Sequence, residues 1–141
     1  MVSSTDCAEQ VLLAIPPLVR ALWQQLQEAT TTAVTPAQFG LLTLLRQEPL
    51  TSTELAHKWG VSAPTMSKMV QLLVEHGWVT REEDPTDRRR KILSLTPEGL
   101  GLHSSVYNAV CQSVADSLAD LSADQRASMA ATLSLLLARL T

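Results

Sequence analysis

Aromatic residues, cysteines and long apolar runs are all scarce in this chain of 141 residues. Aromatic residues make up 4% of it, and most of its apolar mass is Leu, Val and Ala, which favours helices closed by aliphatic stripes. Cys7 and Cys111 are too few for a disulfide framework and fit a reducing compartment. No apolar run approaches the roughly 18 residues of a membrane span, and the N-terminus lacks the basic and then apolar order of a signal peptide. We therefore expect a cytoplasmic protein.

Enzyme and metal-site motifs are also missing from the sequence. It has no phosphate loop, no Gly-x-Ser-x-Gly, no His-Glu-x-x-His and no glycine-rich nucleotide turn, so we expect neither catalysis nor a bound cofactor. The histidines His57, His76 and His103 lack a partner at i+4 and a Cys or carboxylate at ligand spacing. A pairing of His103 with Glu98 or Asp116 is conceivable, but a solvent or core histidine is the favoured interpretation, so no metal site is predicted.

Basic residues are outnumbered, and the formal net charge is −3, whereas nucleic-acid-binding proteins are often basic. The charge is unevenly distributed, however, because seven basic and five acidic groups give residues 58–91 a charge of +2. This positive charge is concentrated in the run Arg88-Arg89-Arg90-Lys91. A local patch of this kind can neutralise phosphates while the rest of the protein stays acidic.

Apolar periodicity predicts a helix over residues 8–29. Pro16 and Pro17 remove backbone donors inside it, so we expect either a kink or a helix that begins near Pro16. A break is predicted at residues 30–32. Thr35 then has the form of a helix cap, with proline in the first turn, for a helix that runs to about residue 46.

Residues 51–96 have the order helix, tight glycine turn, helix, hairpin. A capping box at residues 51–54 opens a short helix, which Gly60 closes in the left-handed conformation. Ser62 caps a second helix, which ends at residues 76–77. The period then changes to that of strands, and the pattern predicts two strands and a polar turn between them, at residues 78–82, 91–96 and 84–89.

The second helix of this module has an apolar inner face and a small or polar outer face. The inner face comprises Met66, Met69, Val70, Leu72, Leu73 and Val74. The outer face comprises Ser62, Ala63, Pro64, Thr65, Ser67, Lys68 and Gln71. A short turn holds the second helix at a steep angle, so its N-terminal end can enter the major groove of DNA, where hydroxyls and a lysine donate to bases or phosphates. The outer-face residues are therefore the predicted DNA contacts.

The hairpin presents Arg88, Arg89 and Arg90 at an exposed tip, and a guanidinium fits a narrow, strongly negative minor groove. Asp87 can hold one of these arginines in position by a charge-assisted pair. An isolated arginine run is more often a solvated loop. Its place directly after the candidate reading helix favours a DNA-contacting wing.

Five stretches of the chain carry a family resemblance, namely residues 55–62 (LAHKWGVS), 64–70 (PTMSKMV), 73–79 (LVEHGWV), 84–89 (DPTDRR) and 95–99 (LTPEG). In these stretches the sequence resembles the multiple-antibiotic-resistance regulator (MarR) family, and the wing sequence is the most diagnostic. The resemblance implies obligate dimers with interlocking terminal helices. It also implies regulation by a small molecule or oxidant bound near the junction of the dimer and DNA-binding regions. Members often carry arginine where this chain has Thr86, so which wing arginine enters the minor groove stays open.

We accordingly predict a mainly α protein with a two-stranded wing, divided into an N-terminal dimerisation helix (1–34), a winged helix-turn-helix region (35–96) and C-terminal dimerisation helices (97–141). The terminal helices are Leu- and Val-rich, and a second copy that buries them gains roughly 25 cal/mol per Å² of apolar area. A C₂ homodimer would place two reading helices about 34–36 Å apart, which predicts a pseudo-palindromic operator. We expect a repressor that a small-molecule effector releases from DNA.

Three further hypotheses concern regulation and partners. Trp23, His103 and Tyr107 can line a pocket for an aromatic or phenolic effector, although core and interface packing is the simpler interpretation. Cys7 allows a thiol-based redox sensor, since some family members sense peroxide through an N-terminal cysteine; otherwise Cys7 is a bystander and Cys111 a small buried hydrophobe. The alternative from another class is a winged-helix module for protein–protein contact without DNA binding.

Overall fold

The computed structural model of the chain describes residues 1–29 and 34–140. Within these ranges the elements are, in order, α1 (Ser4–Ala29), α2 (Pro36–Gln47), β1 (Leu50–Thr51), α3 (Ser52–Trp59), α4 (Ala63–Glu75), β2 (Val79–Glu83), β3 (Lys91–Leu95), α5 (Pro97–Ser117) and α6 (Ala123–Leu140). The mainly α fold class and the winged helix-turn-helix are confirmed.

Side-chain caps begin the helices where the sequence predicts them. At α2, Thr35 Oγ1 accepts from the backbone N–H of Gln38 at 3.2 Å, while Gln38 Oε1 accepts from that of Thr35 at 2.9 Å. The same reciprocal capping box opens α3 at residues 51–54 and α6 at residues 122–125. Each box satisfies two backbone donors that the first helical turn leaves unpaired.

Helix α1 differs from its prediction because it begins at Ser4 and passes through Pro16 and Pro17. A helix start near Pro16 is therefore wrong. The earlier start has a local cause, since Asp6 Oδ2 accepts from the backbone N–H of Ser3 at 2.7 Å. Both prolines lie on an exposed stretch, where water can bind the carbonyls that lose their helical partners. The break predicted at residues 30–32 lies outside the described residues.

The wing is part of a three-stranded antiparallel sheet in the order β1-β3-β2. The predicted hairpin is present with bounds shifted by one residue, and Val79 pairs with Leu95 at its base. The two-stranded wing is confirmed, and the sequence did not indicate that Leu50 pairs with Leu93 and adds β1 to the sheet as a third strand. A strand of two residues is too short to show the alternating pattern by which strands are recognised in a sequence.

The core lies between α2, α3, α4 and the sheet. Its buried side chains are aliphatic for the most part: Val34, Leu41, Leu42, Leu45, Leu50, Leu55, Ala56, Met66, Val70, Leu73, Trp78, Val79 and Leu93. The ring of Trp59 covers Gly40, where an added Cβ would meet its carbons. A single compact core therefore fixes the orientation of α4 relative to the sheet.

The start of α5 is fastened to the base of the wing. Thr96 donates its backbone N–H to the carbonyl of Trp78 at 3.0 Å and its hydroxyl to the carbonyl of Gly77 at 2.6 Å. Its Oγ1 also accepts from the N–H of Gly99, which caps α5. Thr96 thus closes the hairpin and begins the next helix at one point.

Helices α1 and α6 keep most of their apolar side chains at the surface of the single chain. Those at least 40% exposed in the two helices include Val11, Leu12, Leu13, Ile15, Leu18, Val19, Trp23, Met129, Leu133, Leu135 and Leu140. Helix α1 packs against α5, while α6 has no fully buried residue among those described. Within the described ranges, no helix has both the length and the apolar character to cross a membrane.

Candidate nucleic-acid interface

The turn between α3 and α4 is built as the sequence predicts. Gly60 has φ of 75°, a left-handed conformation that favours glycine, and its N–H donates to the carbonyl of Ala56 at 2.9 Å. Ser62 then caps α4, since its Oγ accepts from the backbone N–H of Thr65 at 3.3 Å. Both ends of the turn are held by hydrogen bonds, so the direction of α4 is fixed.

The outer face of α4 is open to solvent along its whole length. The seven residues predicted to contact DNA are all exposed: Ser62, Ala63, Pro64, Thr65, Ser67, Lys68 and Gln71. Met66, Val70 and Leu73 are buried as predicted, and Met69 and Val74 pack partly against the core. The inward placement of Leu72 is wrong, because its side chain is 50% exposed. Leu72 follows Lys68 by four residues and therefore shares its outward face.

A chain of hydrogen bonds crosses from the wing to α4. Arg81 on β2 donates from Nη1 to Oε1 of Gln71 at 2.9 Å, and Nε2 of Gln71 donates to Oε1 of Glu75 at 3.1 Å. The two contacts fix which side of the Gln71 amide carries the oxygen. The predicted reading residue is therefore oriented before any ligand arrives.

At the wing tip, the carboxylates that pair with an arginine are not the predicted Asp87. Asp87 Oδ1 accepts from the backbone N–H of Arg89 at 3.0 Å, so it shapes the turn and does not hold a guanidinium. The arginine that is held is Arg90, whose Nη2 lies 2.9 Å from Oε1 of Glu54 and whose Nε lies 3.9 Å from Oδ2 of Asp84. The guanidinium of Arg90 thus ties the wing to α3.

Hydrogen bonds stabilise the charged form of both of these carboxylates. The backbone N–H of Thr51 lowers the pKa of Glu54, and Arg90 adds to the shift in the same direction. The backbone N–H of Thr86 is the main cause of the lowered pKa of Asp84, with a smaller contribution from Arg90. Both carboxylates, which are anionic at neutral pH, therefore stay partners of Arg90 further into the acid range than ordinary carboxylates would.

Two open grooves adjoin on this side of the molecule. The first, of about 740 Å³, runs between α4 and the sheet and is lined by Ser52, Ser67, Lys68, Gln71, Leu72, Arg81, Lys91 and Leu93. The second, of about 490 Å³, lies between α3 and the wing and is lined by Thr51, Ser52, Thr53, Glu54, Arg89, Arg90 and Lys91. Ser52 and Lys91 line both. The structure therefore joins the outer face of α4 and the wing cations in one surface.

A separate cavity of about 410 Å³ lies between α2 and α5 and is lined by Thr43, Arg46, Gln47, His103 and Tyr107. It brings together two of the predicted effector-pocket residues, His103 and Tyr107, whose rings stack with centroids 5.8 Å apart. The third, Trp23, is on α1 and 47% exposed, whereas the lining comes from α2 and α5.

The hydrogen bonds around His103 determine its tautomer. Thr43 donates its hydroxyl proton to the carbonyl of Phe39, so its Oγ1 accepts from Nε2–H of His103 at 2.9 Å. Nδ1 then accepts from Nη1 of Arg46 at 3.1 Å. His103 is only 2% exposed, and this burial is the main cause of its lowered pKa. The charge of Arg46 lowers the pKa further. A neutral histidine therefore links α2 to α5.

Both cysteines are free and exposed. The interpretation of Cys111 as a buried hydrophobe is wrong, since its thiol lies at the surface of α5 and forms a hydrogen bond with Tyr107 that raises the pKa of that phenol. Cys7 lies in the first turns of α1, and its redox role stays a prediction. In the part of the chain that the structure describes, no three His, Cys, Asp or Glu residues are grouped to hold a metal ion.

Most of the residues that line these grooves lie in a segment of the chain that matches the model of a known family. Residues 34–90, which include α2, α3, α4 and the first strand of the wing, match the sequence model of the MarR family. Wild-type MarR from E. coli has the same fold, with 26% identity and a TM-score of 0.76 over 92% of this chain and 96% of MarR. Residues 34–90 are therefore similar to the MarR family, and the chain shares the fold of MarR.

Other proteins that this chain resembles are regulators by name. The transcriptional repressor CouR, solved bound to a 23-mer DNA duplex, is 26% identical with a TM-score of 0.72, over 99% of this chain and 93% of CouR. A protein of Thauera aromatica, named as a candidate transcriptional regulatory protein for the hcr operon, is 37% identical over 82 residues, which are 57% of this chain and 49% of the relative. The chain spans about half the length of the curated relatives it matches.

Sequence reasoning missed several residues of the grooves and of the cavity around His103. Arg81 was read only as part of a strand, and its contact with Gln71 depends on how β2 lies against α4. Arg46 and Thr43 contact His103 from 57 and 60 residues away, which leaves no local signal. Leu72 had a usable signal, because its spacing of four from Lys68 places it on the outward face.

Proposed function

We propose that this chain is a cytoplasmic, homodimeric transcriptional regulator of the MarR family that binds double-stranded operator DNA in a sequence-specific way. One observation carries the proposal: the exposed polar face of α4 and the wing cations line adjoining grooves. In this arrangement α4 enters the major groove and supplies base contacts from Ser67, Lys68 and Gln71. The wing supplies phosphate and minor-groove contacts from Arg88 and Arg89. The proposed role involves no catalysis and no cofactor.

The proposed homodimer is supported by the apolar side chains that α1 and α6 expose. Leu133 on α6 is 46% exposed, and comparable leucines and valines continue along both helices. A second copy that covers these helices removes apolar area from water at roughly 25 cal/mol per Å². Two-fold symmetry then repeats the reading helix about 34–36 Å away, one turn of DNA, so the operator is pseudo-palindromic.

The proposed effector site is the cavity between α2 and α5. Arg46 offers a cation and Tyr107 an aromatic wall, which suits a small aromatic or phenolic molecule. Helix α2 belongs to the core of the DNA-reading module, whereas α5 leads away from it, so a ligand there changes the angle between the two reading heads of a dimer. A ligand that binds better to the wrong spacing releases the repressor from DNA by this difference in affinity.

The test is a fluorescence-anisotropy titration with the DNA upstream of the protein's own gene, at two salt concentrations. We expect tight binding by two protomers per site, and a steep loss of affinity with added salt, because each neutralised phosphate releases counterions. Binding no tighter than to random duplex at both salt concentrations would favour the alternative of a protein–protein interaction module. Peroxide-sensitive binding that a Cys7→Ser variant loses would replace the small-molecule trigger by a thiol sensor.

A further inference from the structure

The open groove between α4 and the sheet contains one large apolar side chain that is half exposed, that of Leu72. Its neighbours in the lining are mostly polar, and three of them, Lys68, Arg81 and Lys91, are cations. A leucine gains nothing from water or from a phosphate, because its side chain has no hydrogen-bonding group. The cations around it complement the negative charge of a nucleic-acid duplex. The groove therefore fits a DNA surface that offers an apolar group among polar ones.

The geometry of α4 carries Leu72 to the same surface as the predicted reading residues. Thr65, Lys68 and Leu72 follow each other at spacings of three and four residues, so their side chains lie along one face. All three are exposed. With a rise of about 1.5 Å per residue, Leu72 lies about 6 Å beyond Lys68 along the helix, a distance of roughly two base pairs. A docking that lays α4 along the major groove and brings Lys68 to base edges also brings Leu72 to them.

The C5-methyl of thymine is the apolar group that the major groove presents, and its contact with a leucine side chain removes apolar surface from water. We propose that Leu72 is a specificity-determining residue that packs against a thymine methyl in each operator half-site. The inference rests on the proposed function and adds to it a base that the half-site must contain. Gln71 beside it is held by Arg81 and Glu75.

Deoxyuridine scanning tests this contact, because replacing thymine by deoxyuridine removes the methyl group alone. The probe is a duplex selected from a random library by the parent protein, in which each thymine is replaced in turn. We expect one thymine per half-site at which the parent loses affinity by about three- to fivefold, the effect of removing one buried methyl. The Leu72→Ala variant should bind the unmodified duplex more weakly by a similar factor and be indifferent to deoxyuridine at that position.

Two control variants separate a base contact from a general loss of folding. Leu72→Met keeps an apolar side chain and should keep the sensitivity to deoxyuridine. Leu100→Ala removes a leucine on α5 that is 45% exposed, and it should leave both affinity and sensitivity unchanged.

Three results would overturn the inference, and they are distinguishable. If the parent binds the duplex tightly but no thymine is sensitive, Leu72 reads no methyl group. If Leu72→Ala is as sensitive as the parent at every thymine, another residue reads it. If the parent selects no duplex at all, the proposed function fails, and the contact fails with it.

Discussion

At the scale of single residues, the structure distinguishes the three wing arginines that the sequence left equivalent. Arg90 is engaged by Glu54 and Asp84. Within the described ranges, no ion pair involves the side chain of Arg88 or Arg89. Two nitrogens of Arg90 already face carboxylates, so fewer of its donors are available to a phosphate than in Arg88 and Arg89. Arg88 and Arg89 are therefore the proposed phosphate contacts, and Arg90 the residue that positions the wing.

Replacing Arg89 by alanine should weaken binding to specific and random duplexes by similar factors, since a phosphate contact carries no sequence information. We expect the slope of log affinity against log salt to become shallower by about one unit. Anisotropy titrations at four salt concentrations measure both effects, with Arg139→Ala on α6 as the control.

Lys68→Ala should, by contrast, also change the order of affinities for related operators. An Arg89→Ala variant with the salt slope of the parent would contradict a wing contact.

His103 gives the folded chain a pH dependence whose sign follows from its lowered pKa. Unfolding returns the histidine to its usual value of 6.5, so the unfolded chain binds more protons as pH falls below that value. The stabilisation is complete above pH 6.5 and is lost as pH falls toward the lower pKa of the folded state. The free energy of unfolding in urea should therefore be smaller at pH 5.5 than at pH 7.5.

The control for this prediction is His103→Gln. A glutamine can donate to Thr43 and accept from Arg46 but does not titrate. Its unfolding free energy should change less between the two pH values than that of the parent. Equal changes in the two proteins would mean that other groups determine the acid sensitivity.

At the scale of the elements, a pair of glycines in α5 provides a matched test of packing. An ideal Cβ on Gly99 would lie 2.9 Å from the carbonyl carbon of Trp78 and still closer to its oxygen, whereas one on Gly101 would have nothing within 4 Å. Gly101→Ala should stabilise the protein by roughly 0.5–1 kcal/mol, because alanine is the better helix former. Gly99→Ala should destabilise it by about 1–3 kcal/mol despite the same gain.

Thermal unfolding followed by circular dichroism measures this pair. The expected order of midpoints is Gly101→Ala above the parent and Gly99→Ala below it. Two variants that shift together would show that α5 does not dock closely on the turn before β2.

The elements also show what a sequence can and cannot predict here. Helix starts were predictable at residues 35, 51, 62 and 96, because capping is local chemistry between residues about three apart. The alternative that α1 begins near Pro16 was wrong, because two prolines are a strong helix-breaking signal that an exposed helix tolerates. Strand β1, the contact of Arg81 with Gln71 and the chain from Thr43 to Arg46 around His103 all depend on elements distant in sequence. No local pattern encodes such contacts.

At the scale of the whole molecule, an acidic chain presents a cationic surface on one side and apolar helices elsewhere. In the proposed dimer, the apolar helices hold two copies of the cationic surface together. Each half-site alone binds weakly, and joining two reading heads makes the second contact intramolecular. Dimerisation and tight operator binding should therefore be lost together.

Leu133→Asp tests this link, because it puts a charge among the exposed apolar side chains of α6. We expect a monomer by light scattering coupled to size exclusion, and a loss of operator affinity of at least about a hundredfold. Ala119→Asp is the control, since it places the same charge at an exposed position in the turn between α5 and α6. A Leu133→Asp variant that stays dimeric would exclude this part of α6 from the interface.

The two hydrogen bonds by which Thr96 joins Gly77 and Trp78 have a consequence for how the wing can change in evolution. They close the hairpin at its base, so residues added at the tip between 84 and 90 lengthen a loop whose ends are already fixed. Each doubling of such a loop costs only about 0.6 kcal/mol in closure entropy. Insertions and deletions at the tip can therefore alter the reach of the wing along DNA while α4 and α5 keep their places.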